Sequence, residues 1–406
     1  MNREPSAQRA SDSRGQAHTE DMEHAHNPFP WYARMRRDAP ASVDPQSGVL
    51  SVFHYDDVQR VLSDYEAFSS ERGSRDASAT SALSASLISS DPPRHRQLRN
   101  LVTQAFTPRA IAQLAPRITT IIDELLDPIA AAGSHADFDF IEDFAGPLPV
   151  IVIAEMLGIP TTDRVQFKRW SDAIVSISAA PTAGRLTFQE AQREMARYFN
   201  RLIAERRSEP RDDLISHLIA AQIEGQRLTE LELIGFCVLL LVAGNETTTN
   251  LLGNAVLCFD EQPEAYERLR AQRDLIPMAI EEALRYRSPV QSMFRAATGE
   301  TEVGGVRTRP GQPIIAWIGS ANHDEDRFPD AGRFDIERSP NRHLAFGYGI
   351  HFCLGAPLAR LEARLALEAL TARFHAVRRV PDTPLRWMES SIVYGVQNLP
   401  ITVASA

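Results

Sequence analysis

From Thr229 to Gln262 the chain keeps a helical apolar repeat for 34 residues with no proline until Pro263. At helical rise that stretch is roughly 50 Å long. Thr229-Glu230-Leu231-Glu232 has the capping-box pattern that opens a helix, with Thr229 as N-cap. A helix of this length with an apolar front half has to cross a whole core, so the rest of the chain must be organised around it. Its apolar run, Leu233 to Ala243, is too short to span a bilayer and leads straight into Asn245-Glu246-Thr247-Thr248. A carboxylate there would be expensive in lipid. The stretch reads as the buried core helix of a protein with no membrane partner. Its middle, Ala243-Gly244-Asn245-Glu246-Thr247-Thr248-Thr249-Asn250, is made of poor helix formers. That conflict marks either a functional site, where a buried Glu and a Thr hydroxyl relay protons, or a tolerated packing defect.

Helical spacing also recurs at 56–65, 109–132, 161–177, 187–206, 211–222, 264–270, 276–286 and 356–374. Strand signals are fewer: Val49–His54, Glu302–Val306 and Pro313–Ile318, the last two joined by the turn-like Arg309-Pro310-Gly311. Ile392–Val396 and Leu399–Val403 are expected to pair at the C-terminus. The fold class is therefore mainly α with a small β-rich lobe. Residues 1–26 are polar without an apolar run, so they read as a disordered tail rather than a signal peptide, and 27–406 as one domain. The net charge of −10 argues against a nucleic-acid-binding role. Three widely spaced cysteines, Cys237, Cys258 and Cys353, give no disulfide framework and fit a reducing cytoplasm.

Cys353 stands apart from the other two. It lies in Phe346-Gly347-Tyr348-Gly349-Ile350-His351-Phe352-Cys353-Leu354-Gly355-Ala356-Pro357, where glycines allow a tight bulge and Gly355-Ala356-Pro357 opens a helix. A cysteine at a helix N-terminus is expected to favour the thiolate. Such a thiolate binds a metal or attacks an electrophile. A four-ligand zinc site lacks the other ligands. A hydrolase needs a base, and His351 is badly placed for that in an extended loop. An axial haem ligand needs only one thiolate, N–H donors and room for a flat macrocycle.

The F-x-x-G-x-H-x-C-x-G pattern from Phe346 to Gly355 resembles the haem signature of the cytochrome P450 superfamily, and the resemblance runs from about Asn27 to Thr402. It is similar to the soluble bacterial members. The resemblance implies the P450-like helical fold, haem b as cofactor and Cys353 as the proximal iron ligand. It implies that Phe346, Gly347 and Gly355 shape the ligand loop and that Ala243 and Gly244 form the oxygen-binding groove. Glu246 and Thr247 would be the acid–alcohol pair. Glu282-Ala283-Leu284-Arg285 resembles the family's E-x-x-R ion pair, with Arg338 as third partner. His95 and Arg99, i and i+4 on a helix begun by Asp91 as cap and Pro92, would meet the haem propionates together with Arg295 and His351.

The implied activity is a monooxygenase placing one atom of O2 into a hydrophobic small molecule, by hydroxylation or epoxidation. Macrolides, terpenoids, steroids, fatty acids and xenobiotics all fit. Electrons would come from a ferredoxin or flavodoxin with its NAD(P)H-dependent reductase, and Arg94, Arg96, Arg109, Arg342, Arg360 and Arg364 offer a cationic surface for it. The resemblance draws the pocket from Leu83, Leu87, Ile88, Leu239, Ala243, Val290, Gln291, Ile392 and Val393. Two rivals are a haem-thiolate peroxygenase, against which the Glu246-Thr247 pair weighs, and a non-catalytic haem-binding sensor.

Overall fold

The computed structural model describes residues 26–71, 86–133, 135–175, 186–222, 225 and 227–405. The expected tail, apart from His26, and Leu83 lie outside the described residues.

The long helix runs as Glu230–Glu261, 32 residues, with the full capping box. Thr229 N–H donates to Glu232 Oε2 at 2.9 Å, and Glu232 N–H donates to Thr229 Oγ1 at 3.3 Å. The helix continues through Ala243–Asn250 because its hydroxyls find helical or neighbouring acceptors. Thr247 Oγ1 donates to Ala243 O at 2.6 Å, the back-bonding open to a hydroxyl in a helix. Thr249 Oγ1 donates to Ala145 O at 3.1 Å. Gly244 serves a different need. A Cβ there would lie 2.5 Å from Ile153 Cδ1, so its absence lets a second helix, Pro147–Met156, lie close alongside. The apolar spacing gave no sign of that second helix. Leu148, Val150, Val152 and Ile153 are all buried, and a helix apolar all round shows no period.

Arg164–Val175, Phe188–Ser208, Ile276–Tyr286 and Ala356–Arg373 surround the central helix. The β lobe is a five-stranded sheet in the order Ala41–Val43, Leu50–Val52, Pro313–Ala316, Met293–Ala297, Phe68–Ser69. Leu50 pairs with Ile314 and Val52 with Ala316 in parallel, and the other pairings are antiparallel.

Three expectations are corrected. Glu302–Val303 pairs with Val306–Arg307 rather than with Pro313–Ala316, because Gly304 and Gly305, both at positive φ, close a tight hairpin first. Ile392–Val396 does not pair with the C-terminal strand. Pro400–Ser405 instead lies between His135–Asp139 and Phe374–Arg379, which buries Ile401 and Val403. A three-stranded sheet against a core is more stable than a lone hairpin. Finally, the helix carrying His95 begins at Arg94, not at Pro92, since a residue before proline is driven out of the helical region. Asp91 does not cap it; its carboxylate accepts from Ser69 Oγ and from Ser70 N–H at 3.1 Å.

Candidate active site

Cys353 is held by its own backbone. Its N–H donates to Phe346 O at 2.9 Å, and Gly347 and Gly349 take φ of 70° and 71°. A side chain on Gly349 would press to 2.8 Å from Ser63 Cα, so the bulge is docked on the helix Tyr55–Ser63. The helix Ala356–Arg373 follows with Gly355 as N-cap. Cys353 is exposed, but onto a cavity, with protein on its other sides. Burial pushes the Cys353 thiol up, and the Gly355 N–H, Arg99 and the Ala356 N–H offset this only in part. The sulfur therefore needs a cation beside it before it gives up its proton.

The cavity is walled almost entirely by apolar side chains, as sites for small apolar ligands are. One wall holds Cys353, Phe346, Gly347, Gly355, Leu358, Ala359 and Glu362. The central helix supplies Phe236, Leu239, Leu240, Ala243, Gly244 and Thr247. Leu87, Ile88, Val290 and Met293 complete the apolar mouth. Leu87, Ile88, Leu239, Ala243 and Val290 thus reach the cavity as expected of pocket residues. Gln291, Ile392 and Val393 do not. Gln291 turns away, its Oε1 accepting from Tyr32 O–H at 2.7 Å and its Nε2 donating to Ser288 O at 2.6 Å, because a buried amide has to satisfy its polar atoms. Ile392 is exposed and Val393 is bridged to Val290 behind the wall. Phe236 and Leu240 were missed, although the central helix's own apolar period, 236, 239/240, 243, 247, points to them. Glu246 is half-buried rather than buried, and it is not among the residues lining the cavity.

Four cationic or donor groups gather at one edge. Arg99 and His351 line the cavity; His95 packs against His351 with ring centroids 4.3 Å apart, and Arg295 lies close enough to depress both imidazoles. His351 Nε2 is 2.9 Å from Ser70 Oγ. Burial, then Arg99, hold His95 down to about 4. Burial, then Arg295, hold His351 down to about 3. Burial pushes Arg295 down to about 10 and lowers Arg99 as well. Among the described residues neither guanidinium has a carboxylate within ion-pair distance, and His95 Nε2 is buried without a hydrogen bond. Desolvated cations lacking an anion fit a ligand that brings its own carboxylates.

Behind the thiol wall, Glu282 and Arg285 form a two-point ion pair at 2.8 and 2.7 Å, and Arg338 Nε reaches Glu282 Oε1 at 3.2 Å. The six-arginine surface is thinner than the sequence suggests. Arg94 is bound by Glu232, Arg360 by Glu281 at 2.7 Å and Arg364 by Glu368 at 2.8 Å. Arg96, Arg109 and Arg342 are exposed and join no ion pair among the described residues.

An apolar cavity, a cysteine sulfur on one wall and unpaired guanidinium groups at its edge fit a flat iron macrocycle bearing two carboxylates. That combination on a mainly helical scaffold defines a haem-thiolate protein. Residues 23–398 match the family model of cytochrome P450. The chain is 45% identical over 382 residues to "Cytochrome P450 109" of Bacillus spizizenii, covering 93% of this chain and 92% of that one. It is 41% identical to "Mycinamicin IV hydroxylase/epoxidase" of Micromonospora griseorubida over 378 residues, 91% of this chain and 94% of that one. The crystal structure of CYP109E1 from Bacillus megaterium in complex with testosterone superposes with a TM-score of 0.86 at 43% identity, over 93% of this chain and 98% of that one. The chain belongs to the cytochrome P450 family. It is a P450 monooxygenase with haem as cofactor, acting with O2 on a small molecule.

Proposed function

We propose that the chain, as one catalytic domain over 27–406, oxygenates a bulky, uncharged, apolar molecule of steroid-like character, and that Cys353 holds the haem iron. Bound haem supplies the one-electron and O2 chemistry by which one oxygen atom enters the substrate. Arg99, His351, His95 and Arg295 receive its propionates. Phe346, Gly347 and Gly355 hold the sulfur's loop, and Ala243 with Gly244 keeps the opposite wall clear. Glu282, Arg285 and Arg338 brace the loop from behind.

The observation that carries the substrate class is the wall composition. Beyond Arg99 and His351 at the edge and Glu362 on the cysteine wall, no charged or titratable side chain other than Cys353 lines the cavity among the described residues. A carboxylate or ammonium on the substrate would be buried unpaired, which costs several kcal/mol. This separates neutral steroids and terpenoids from fatty acids and from macrolides carrying an amino sugar. Testosterone is expected to shift the haem absorption spectrum on titration, while a fatty acid or a cationic macrolide binds at least ~10-fold more weakly. Tighter binding by either charged ligand would reverse the assignment.

Thr247 is the proton-handling alcohol in this reading. Its Oγ1 donates to Ala243 O at rest and the residue lines the cavity, so turning the O–H about the Cβ–Oγ1 bond directs its proton toward bound ligand. Glu246, one residue before it, acts from outside the lining as the acid that resupplies the proton. General acid catalysis is commonly worth ~10²-fold or more. Thr247→Ala is expected to lower product formed per electron consumed by on the order of tenfold, with hydrogen peroxide making up the difference. Unchanged coupling would remove Thr247 from this role. Electrons come from a separate ferredoxin or flavodoxin and its reductase in the cytoplasm, docking near Arg96, Arg109 and Arg342.

A further inference from the structure

Glu362 is a buried acid for which neither the ligand wall nor the proton-handling pair has a use. It lies nine residues beyond Cys353 on the helix Ala356–Arg373. Gly355, Leu358, Ala359 and Glu362 line the cavity from one face of that helix. The side chain is 1% exposed, and Oε2 has no hydrogen-bond partner among the described residues. A buried carboxylate with neither donor nor cation is strongly disfavoured.

The charged groups on the helices packed around it are engaged elsewhere. Arg360 is bound to Glu281, Arg364 to Glu368, Arg285 to Glu282, and Arg373 to Asp123 and Asp127. The other titratable groups in the cavity wall, Arg99, His351 and Cys353, do not act on it. Burial alone pushes Glu362 up to about 8.

We propose that Glu362 is a positioning residue which stays an un-ionised acid beside the cavity, so that electron delivery to the site is favoured while its proton is in place and opposed once it is lost. The inference rests on haem occupying the cavity. Where Glu362 is ionised before reduction and protonated after it, one electron passed from dithionite to bound haem would be accompanied by one proton from solvent, which forms an O–H bond on a Glu362 oxygen. While Glu362 is already protonated, no proton is taken up.

The sign follows from electrostatics. Added negative charge raises the affinity of Glu362 for its proton. Below about pH 8 the acid is protonated in both redox states and contributes no pH dependence. Above that pH the oxidised form has lost the proton, so reduction requires uptake and the midpoint potential falls as pH rises.

The test is a dithionite-linked potentiometric titration of the haem-loaded protein at pH values on both sides of about 8, for wild type and Glu362→Gln. Wild type is expected to show a flat potential below that pH and a falling one above it, while the Gln variant, neutral throughout, stays flat. Infrared spectroscopy of the wild type adds a measurement independent of any variant's folding. The carbonyl stretch of a protonated carboxylic acid should be present at neutral pH and disappear above about pH 8. A slope that survives in Glu362→Gln, a wild-type potential that is flat across the range, or absence of that stretch overturns the proposal. A protein that stays colourless with added haem sinks the reading of the cavity itself, whereas a coloured protein with a flat potential sinks only the role of Glu362.

Discussion

Cys353→Ser is expected to leave a folded protein that has lost the red-shifted Soret band of its reduced, carbon monoxide-treated form, and its oxygenation activity falls to background. Sulfur and oxygen differ here in two ways. A serine hydroxyl does not ionise near neutral pH, whereas a thiol does so once a metal charge offsets burial. Thiolate is also the softer, more electron-donating ligand, and that donation promotes O–O cleavage. Folding should survive because the loop does not depend on the sulfur. The Cys353 N–H donates to Phe346 O, and Gly349 is packed on Ser63, and neither contact changes with the side chain. The stability change should therefore stay within about 1 kcal/mol, as for a substitution facing open space. Denaturation midpoint and haem content, measured on the same sample, separate loss of ligand from loss of fold. Retention of the red-shifted band in the Ser variant would mean that another side chain holds the iron.

Periodicity and capping chemistry made the helices legible, and chemistry at one loop made the site legible. The capping box at Thr229 and the repeat behind it placed the 32-residue central helix to within a residue or two. For Phe188–Ser208 only the spacing over 187–206 was legible, and the structure adds a capping box of Thr187 with Glu190 at its start. Pro147–Met156 stayed hidden because burial on all sides erases the alternation that periodicity needs. The strands were the weaker part, and the reason is non-local pairing. Pro313–Ala316 finds Leu50–Val52 across more than 250 residues of chain, and no local signal encodes that choice. At the site, the residue types of the cysteine loop, the E-x-x-R helix and the H-x-x-x-R helix were readable because each chemistry needs particular groups at particular spacing. Which apolar residues face the cavity was not. Gln291 and Val290 are neighbours in sequence, yet only Val290 lines the wall, since the Gln291 amide goes to Tyr32 and Ser288. At Cys353 the helix N-terminus was visible in sequence, but the burial that pushes the thiol up was not.

Glu282→Ala is expected to lower stability by about 3–5 kcal/mol and to cut haem retention, the largest stability loss of any single change considered. Glu282 and Arg285 are both fully buried. The carboxylate accepts from Arg285 Nε and Nη2, from Arg338 Nε, from Asn341 Nδ2 at 3.1 Å and from Asp335 N–H at 2.9 Å. Removing it strands a buried guanidinium and orphans several donors at once. Arg285 in turn donates to the carbonyls of Asn322, Ala331 and Arg333 at 2.9–3.0 Å. Those carbonyls belong to the irregular segment that feeds the cysteine loop, and Asn322 Oδ1 also accepts from Leu344 N–H at 2.7 Å. The pair therefore anchors the chain just upstream of Cys353, and loosening it should reach the ligand. Arg285→Lys should behave nearly as badly as Arg285→Ala, because an ammonium cannot serve a bidentate carboxylate and three carbonyls together. Arg338→Ala should cost less, since that side chain is partly exposed and the buried pair survives without it. Chemical denaturation followed by far-ultraviolet circular dichroism, alongside haem absorbance, measures both effects. Removing both charges with apolar residues of similar size should recover part of the stability lost by either single change, because no unpaired charge is then buried. If Glu282→Ala unfolds near the wild-type midpoint, the ion pair is not what holds this part of the core, and the brace must lie in the carbonyl contacts of Arg285 instead.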